Sequence, residues 1–146
     1  MKINIETKVE QDYLSVKGGF NENLFLKLSP PFPPVKLLRF DGSSKGDIVS
    51  LELNFIFFKQ KWTSEIVEDK TNDREFFFVD KGTELPFFLS DWRHKHRIIN
   101  NGGNAIIRDE IQYKSPFFLI TWALYPVMLA QFAYRKPIYK KLFRKG

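Results

Sequence analysis

Six short segments between Val35 and Tyr113 are rich in β-branched and aromatic residues, mostly in alternation with polar ones. They are "VKLLRF", "DIVSLELNFIFF", "KWTSEIVED", "REFFFVDKG", "DWRHKHRII" and "NAIIRDEIQY". Turn-forming clusters such as "DGSSKG", "DKTND" and "NNGG" separate them. Connections this short cannot carry a chain back to a parallel strand, so the segments must form an antiparallel meander. In the second segment the alternation puts Val49, Leu51, Leu53, Phe55 and Phe57 on one face. A sheet with one apolar face needs another element to cover it.

The flanking sequence supplies the rest. "INIETKVE" alternates Ile3, Ile5, Thr7 and Val9 against polar residues and reads as a separate first strand. "DYLSVKGGFNENLFLKLSP" reads as two short helices broken at Gly18-Gly19, with Asn21 as an N-cap. The prolines of "SPPFPP" end the second helix. From Ser115 to Tyr134 no residue is charged. Such a run is long enough to span a bilayer. Yet it holds two prolines and a glutamine, and it directly follows a strand of the meander. Pro126 suits the first position of a helix, and Met128, Phe132, Val127, Ala130, Tyr134 and Ile138 recur at helical spacing. The run therefore reads as a long helix buried against the sheet, kinked late by Pro137. The expected architecture is α+β: a curved antiparallel sheet of about seven strands around a long C-terminal helix, with two short helices after the first strand. Residues 1–146 are expected to form one domain.

Composition narrows the functional classes. With no cysteine, disulfides, thiolate metal sites and a cysteine nucleophile are excluded. The first residues, "MKINIETKVE", contain no apolar run, so no secretory signal is expected and a cytoplasmic setting fits. The net charge of +6 comes entirely from the tail "RKPIYKKLFRKG". A nucleic-acid binder spreads cations over a face with interleaved aromatics. This tail reads instead as a solvated helix end, with an anionic membrane surface as its alternative partner. Aromatic residues make up 16% of the chain, and 16 of them are Phe, which suits either a packed core or an aromatic-lined interior.

The element order resembles the helix-grip fold of the START lipid-transfer domains, the birch-pollen allergen group and the polyketide cyclase-like proteins, together the SRPBCC superfamily. It is most similar to the small bacterial single-domain members. The resemblance runs from about Leu24 to Arg135, through "LFLKLSPPFPPVKLLRFDG", "KGDIVSLEL", "WTSEIVE", "FFFVDKGTELPFFLSDWRHKHRI", "IRDEIQY" and "FAYR". It implies a cavity between sheet and helix for a lipid-, sterol- or polyketide-like molecule. It implies catalysis only in some members, so fold alone assigns no activity.

Both histidines of the chain lie in "DWRHKHRII". Strand alternation puts Trp92, His94, His96 and Ile98 on one face and Arg93, Lys95 and Arg97 on the other. Three cations belong in water, so the histidines face the interior. A hairpin loop at Asn101-Gly102, or over Asn100 to Gly103, sets His94 opposite Asp109 and His96 opposite Ile107. An inward His94–Asp109 pair is expected. It reads first as a structural polar pair, then as part of a ligand site, then as an acid–base pair. Two histidines two residues apart can share a metal only with a third ligand, from Asp109 or Asp80. No metal and no cofactor are expected.

The candidate ligand-binding residues are Trp62, Phe78, Asp80, Trp92, His94, His96, Asp109 and Tyr113; His94 and Asp109 become catalytic if the chain is an enzyme. The function expected is binding of a hydrophobic or amphipathic small molecule. A cyclase or dehydratase is the alternative, and a membrane-surface protein using the basic helix the second. The expected protein is a monomer or homodimer without nucleic acid.

Overall fold

The computed structural model describes residues 1–145. The elements are β1 (Lys2–Val9), α1 (Tyr13–Gly18), α2 (Glu22–Leu28), β2 (Val35–Phe40), β3 (Ile48–Asn54), β4 (Lys59–Thr71), β5 (Glu75–Glu84), β6 (Asp91–Asn101), β7 (Asn104–Lys114), α3 (Phe118–Ala133) and α4 (Arg135–Leu142). All seven strands form one antiparallel sheet in the order β1-β7-β6-β5-β4-β3-β2. β2 to β7 are the expected meander. β1, distant in sequence, closes the far edge by pairing with β7. Register shifts at Leu37/Arg39, Thr63/Ser64 and Ile66/Glu68 bend the sheet.

Local chemistry sets the ends of the elements. Asp12 caps α1 by accepting from the backbone N–H of Leu14 and Ser15, and Asn21 caps α2 by accepting from Leu24. Asn72 closes the β4–β5 turn with its side-chain oxygen, which accepts from Arg74 and Glu75.

Four features depart from the expectation. Of the helical stripe only Met128 and Phe132 are buried, while Val127, Ala130 and Tyr134 are exposed. β3 ends at Asn54, and Ile56 takes a φ of 77° in the turn that follows. The alternation is lost there, so Phe57 points to solvent at 94% exposure while Phe55 stays inside. α3 begins at Phe118, and Pro126 lies within it rather than at its start. The helix tolerates a missing N–H because tertiary packing of Met128 and Phe132 holds it. The β6–β7 loop is Gly102-Gly103, flanked by Asn101 opposite Asn104. A tight hairpin of this kind needs φ > 0 at both loop residues, and the two glycines supply 59° and 97° without a side-chain clash. Every pairing of β6 with β7 is thereby shifted by two residues from the expected register.

Pro137 acts as expected. Its ring takes the place of the N–H that the Ala133 carbonyl would bind, and α3 gives way to α4 at Tyr134. The broken helix packs over the sheet in two clusters. Met128 and Phe132 of α3 join Ile3, Ile5, Trp92, Ile111 and Tyr113. Tyr139 of α4 and nearby Phe143 join Val16, Leu24, Ile66, Phe78 and Ile98. Phe20 stacks on Tyr139 and Phe143, tying the short helices to α4. No helix among the described residues is long and apolar enough to cross a membrane.

Candidate functional site

A cavity of about 520 Å³ lies between the concave sheet face, α2 and the C-terminal helices. Its wall is mostly apolar, with Leu24, Phe40, Leu51, Leu53, Phe55 and Met128 among the lining residues. These come from five different elements or loops, so no single sequence window announces them. The alternation of β3 marks Leu51, Leu53 and Phe55 as inward, and that is the signal available for them. The lining reaches the surface at Phe87 and Val127, both more than half exposed. The Phe-rich composition is thus divided between a packed core and a lined interior.

Six of the eight expected residues line the cavity: Trp62, Phe78, Asp80, Trp92, His94 and His96. Asp109 and Tyr113 do not. Tyr113 is 1% exposed and its hydroxyl donates to the Thr121 carbonyl at 2.8 Å, anchoring α3. Asp109, also 1% exposed, stands behind the wall.

The polar part of the wall is a crossed arrangement on three neighbouring strands. His94 lies between Asp80 on β5 and Ile111 on β7, and His96 between Phe78 and Asp109. The expected opposition of His94 to Asp109 and of His96 to Ile107 does not occur. Each imidazole instead leans to the carboxylate diagonal to it. His94 Nε2 donates to Asp109 Oδ1 at 2.8 Å, and His96 Nε2 donates to Asp80 Oδ2 at 2.6 Å. The expected His94–Asp109 contact therefore forms, by a diagonal reach rather than by direct opposition. The two rings stack with centroids 3.5 Å apart, and Phe78 stacks on the far side of His96 at 4.2 Å. The Trp92 indole N–H donates to Asp80 Oδ1 at 2.9 Å. The pairing of Asp80 with His96 was not foreseen, because it needs the β5–β6 register.

Electrostatics follow from burial and these contacts. Burial pushes the Asp80 carboxyl up, but the His96 hydrogen bond, the neighbouring imidazoles and the Trp92 N–H outweigh it and hold it below its ordinary value. Burial also opposes ionisation of Asp109. The His94 hydrogen bond and the pull of that ring, then the Arg135 guanidinium, bring it below the ordinary value too. Burial, with the adjacent His94, pushes His96 down to about 4 against the pull of Asp80. At neutral pH the site thus presents an ionised Asp80 and a neutral His96.

Arg135 was expected in the solvated tail. It lines the cavity instead, with its guanidinium carbon 4.5 Å from the Phe132 ring centroid. Its position at the α3–α4 junction turns it inward. His96 Nδ1, Asp109 Oδ2, Thr7 Oγ1 and the Tyr139 hydroxyl are buried without a hydrogen-bond partner among the described residues. Burial pushes the Tyr139 hydroxyl upward, so it stays protonated.

No family model matches the chain, and no curated protein matches it by sequence. Solved structures do match it by shape. The protein Ms6760 from Mycobacterium smegmatis has a TM-score of 0.70 at 13% identity, covering 99% of this chain and 91% of that one. A point mutant of norcoclaurine synthase from Thalictrum flavum has a TM-score of 0.69 at 12% identity, covering 98% and 93%. The ZhuI aromatase/cyclase from Streptomyces sp. R1128 has a TM-score of 0.66 at 12% identity, covering 94% and 89%. The chain has the helix-grip fold that its sequence resembles.

Proposed function

We propose that this chain binds an apolar or amphipathic small molecule in the cavity between sheet and helix. The observation that carries this reading is a cavity of about 520 Å³ with mostly apolar walls, a polar station of Asp80, His94 and His96, and a few separate polar groups such as Gln131 and Arg135. Its size falls within the range of small-molecule sites, and such sites combine apolar walls with few polar groups. Burying about 300 Å² of apolar ligand surface contributes roughly 7 kcal/mol before the costs of association. The ionised Asp80 orients a ligand by accepting a hydrogen bond, and Arg135 favours an acceptor on the ligand.

The test uses an apolar fluorescent dye such as ANS and the emission of Trp62 and Trp92, which line the cavity. Dye is expected to bind one-to-one and change that emission. Leu53→Phe, which fills the cavity from β3, is expected to weaken dye binding about tenfold, while stability changes by about 1–3 kcal/mol at most. Dye affinity unchanged by Leu53→Phe sinks the reading. Native mass spectrometry of protein from its own host then identifies the class of a co-purifying ligand.

A second reading is supported by the His94–Asp109 contact. Asp109 holds His94 Nε2–H, which leaves Nδ1 directed to the cavity side, 3.8 Å from Asp80 Oδ2. An imidazole oriented by a carboxylate is suited to proton transfer. Enzymes occur on this fold, among them the norcoclaurine synthase and aromatase/cyclase above. Turnover of a carbonyl substrate that His94→Gln abolishes without loss of dye binding favours this reading. Turnover that survives His94→Gln removes it.

A further inference from the structure

We infer that Asp80, His94 and His96 form a binding site for one divalent transition-metal ion on the cavity wall. This goes beyond small-molecule binding, because it assigns the polar station an inorganic ligand of its own. One donor atom from each residue lies within 4.8 Å of the others. Asp80 Oδ2 is the hub: His96 Nε2 is 2.6 Å from it and His94 Nδ1 is 3.8 Å from it. An ion about 2.0–2.2 Å from each donor in tetrahedral geometry places the donors roughly 3.4 Å apart. The His96 contact opens and the His94 contact closes, each by less than about 1 Å.

The surroundings of the three donors match what metal sites need. Their side chains are only 15%, 3% and 12% exposed, unlike a solvated acidic cluster. His94 directs Nε2–H to Asp109, which leaves Nδ1 as its donor atom. A carboxylate on the second nitrogen of a ligating histidine fixes its tautomer and raises its basicity. His96 ligating through Nε2 carries its proton on Nδ1, which is 3.8 Å from the same Asp109 oxygen. Trp92 holds Asp80 by Oδ1, and Oδ2 becomes a ligand when the ion replaces the proton that His96 Nε2 shares with it. All three ligands line the cavity, so the remaining coordination position opens onto it. A dication also offsets the two facing carboxylates. Two imidazoles and one carboxylate suit Zn²⁺, Fe²⁺ or Co²⁺ rather than the oxygen-seeking Mg²⁺ or Ca²⁺. Spacing within "HKH" shows two ligands at most; the third comes from the neighbouring strand.

The test is a titration of the EDTA-stripped full chain with Zn²⁺, and with Co²⁺ read by its visible absorption. One ion per chain is expected, with no competition from Mg²⁺. Asp80→Asn and His96→Gln are expected to weaken binding by about tenfold or more, and Asp109→Asn by a similar factor through His94. Failure of the folded chain to bind Zn²⁺ overturns the inference. So does an affinity that Asp80→Asn and His96→Gln leave unchanged. Should either variant fail to fold by circular dichroism, ring ¹⁵N shifts of the unmutated protein decide. Zn²⁺ must move His94 Nδ1 and His96 Nε2, and static shifts overturn it. Dye binding measured in EDTA separates the two readings, because it tests the cavity without the ion.

Discussion

On the convex face of β6, Arg97 donates to Glu75 at 2.8 Å and to Glu110 at 3.0 Å, and the Lys95 ammonium lies 4.2 Å from the Phe77 ring centroid. On the concave face of the same strand, His94 and His96 meet two carboxylates at 2.8 and 2.6 Å. The bond lengths are alike and the surroundings are not. Arg97 keeps 25% of its side chain in contact with solvent, whereas His94 keeps 3% and Asp109 1%. Water screens and replaces the convex contacts, so losing one is cheap. On the concave face nothing replaces a lost partner, and a stranded buried charge carries its full desolvation cost. The comparison shows that contact length is a poor guide to energetic weight within one strand.

Three experiments sharpen that contrast. The largest effect is expected at Asp109. Asp109→Ala leaves the buried His94 N–H without its acceptor and is expected to cost up to about 3 kcal/mol in urea denaturation at neutral pH. A loss below about 1 kcal/mol means that water reaches His94 and the contrast fails.

The second is acid destabilisation. His96 binds a proton near 6.5 in the unfolded chain and at about 4 in the folded one. Between those values the unfolded state holds more protons, so stability falls as pH is lowered. The expected loss from His96 is on the order of 3 kcal/mol. Asp80 and Asp109, both held below the ordinary carboxylate value, add to the loss as pH falls further through the carboxylate range. Urea midpoints across this range check it, and His96→Gln is expected to flatten the upper part of the curve.

The smallest effect belongs to the convex face. Arg97→Ala is expected to cost about 1 kcal/mol or less, and less again at high salt. A loss comparable to that of Asp109→Ala removes the distinction between the faces.

The sequence was sufficient wherever one strand or one turn decided the outcome. The period-two alternation of "DWRHKHRII" put Trp92, His94 and His96 inside and the three cations outside, because successive side chains in a strand must point to opposite faces. Asn21, Asn72 and Pro137 acted through chemistry a few residues wide. Partners across strands were another matter. Two glycines at 102 and 103 moved the β6–β7 register by two residues, and only that register shows which residues oppose the histidines. The side chains then crossed to the diagonal carboxylates, a choice set by ring packing between Phe78 and Phe132. Asp80, a candidate from its own strand, found its partner His96 only through the β5–β6 register, and Arg135 turned inward at a helix break. Alternation determined by itself which way each side chain faces. Which groups meet depends on pairing between segments far apart in the chain, and tertiary packing alone selects among those pairings.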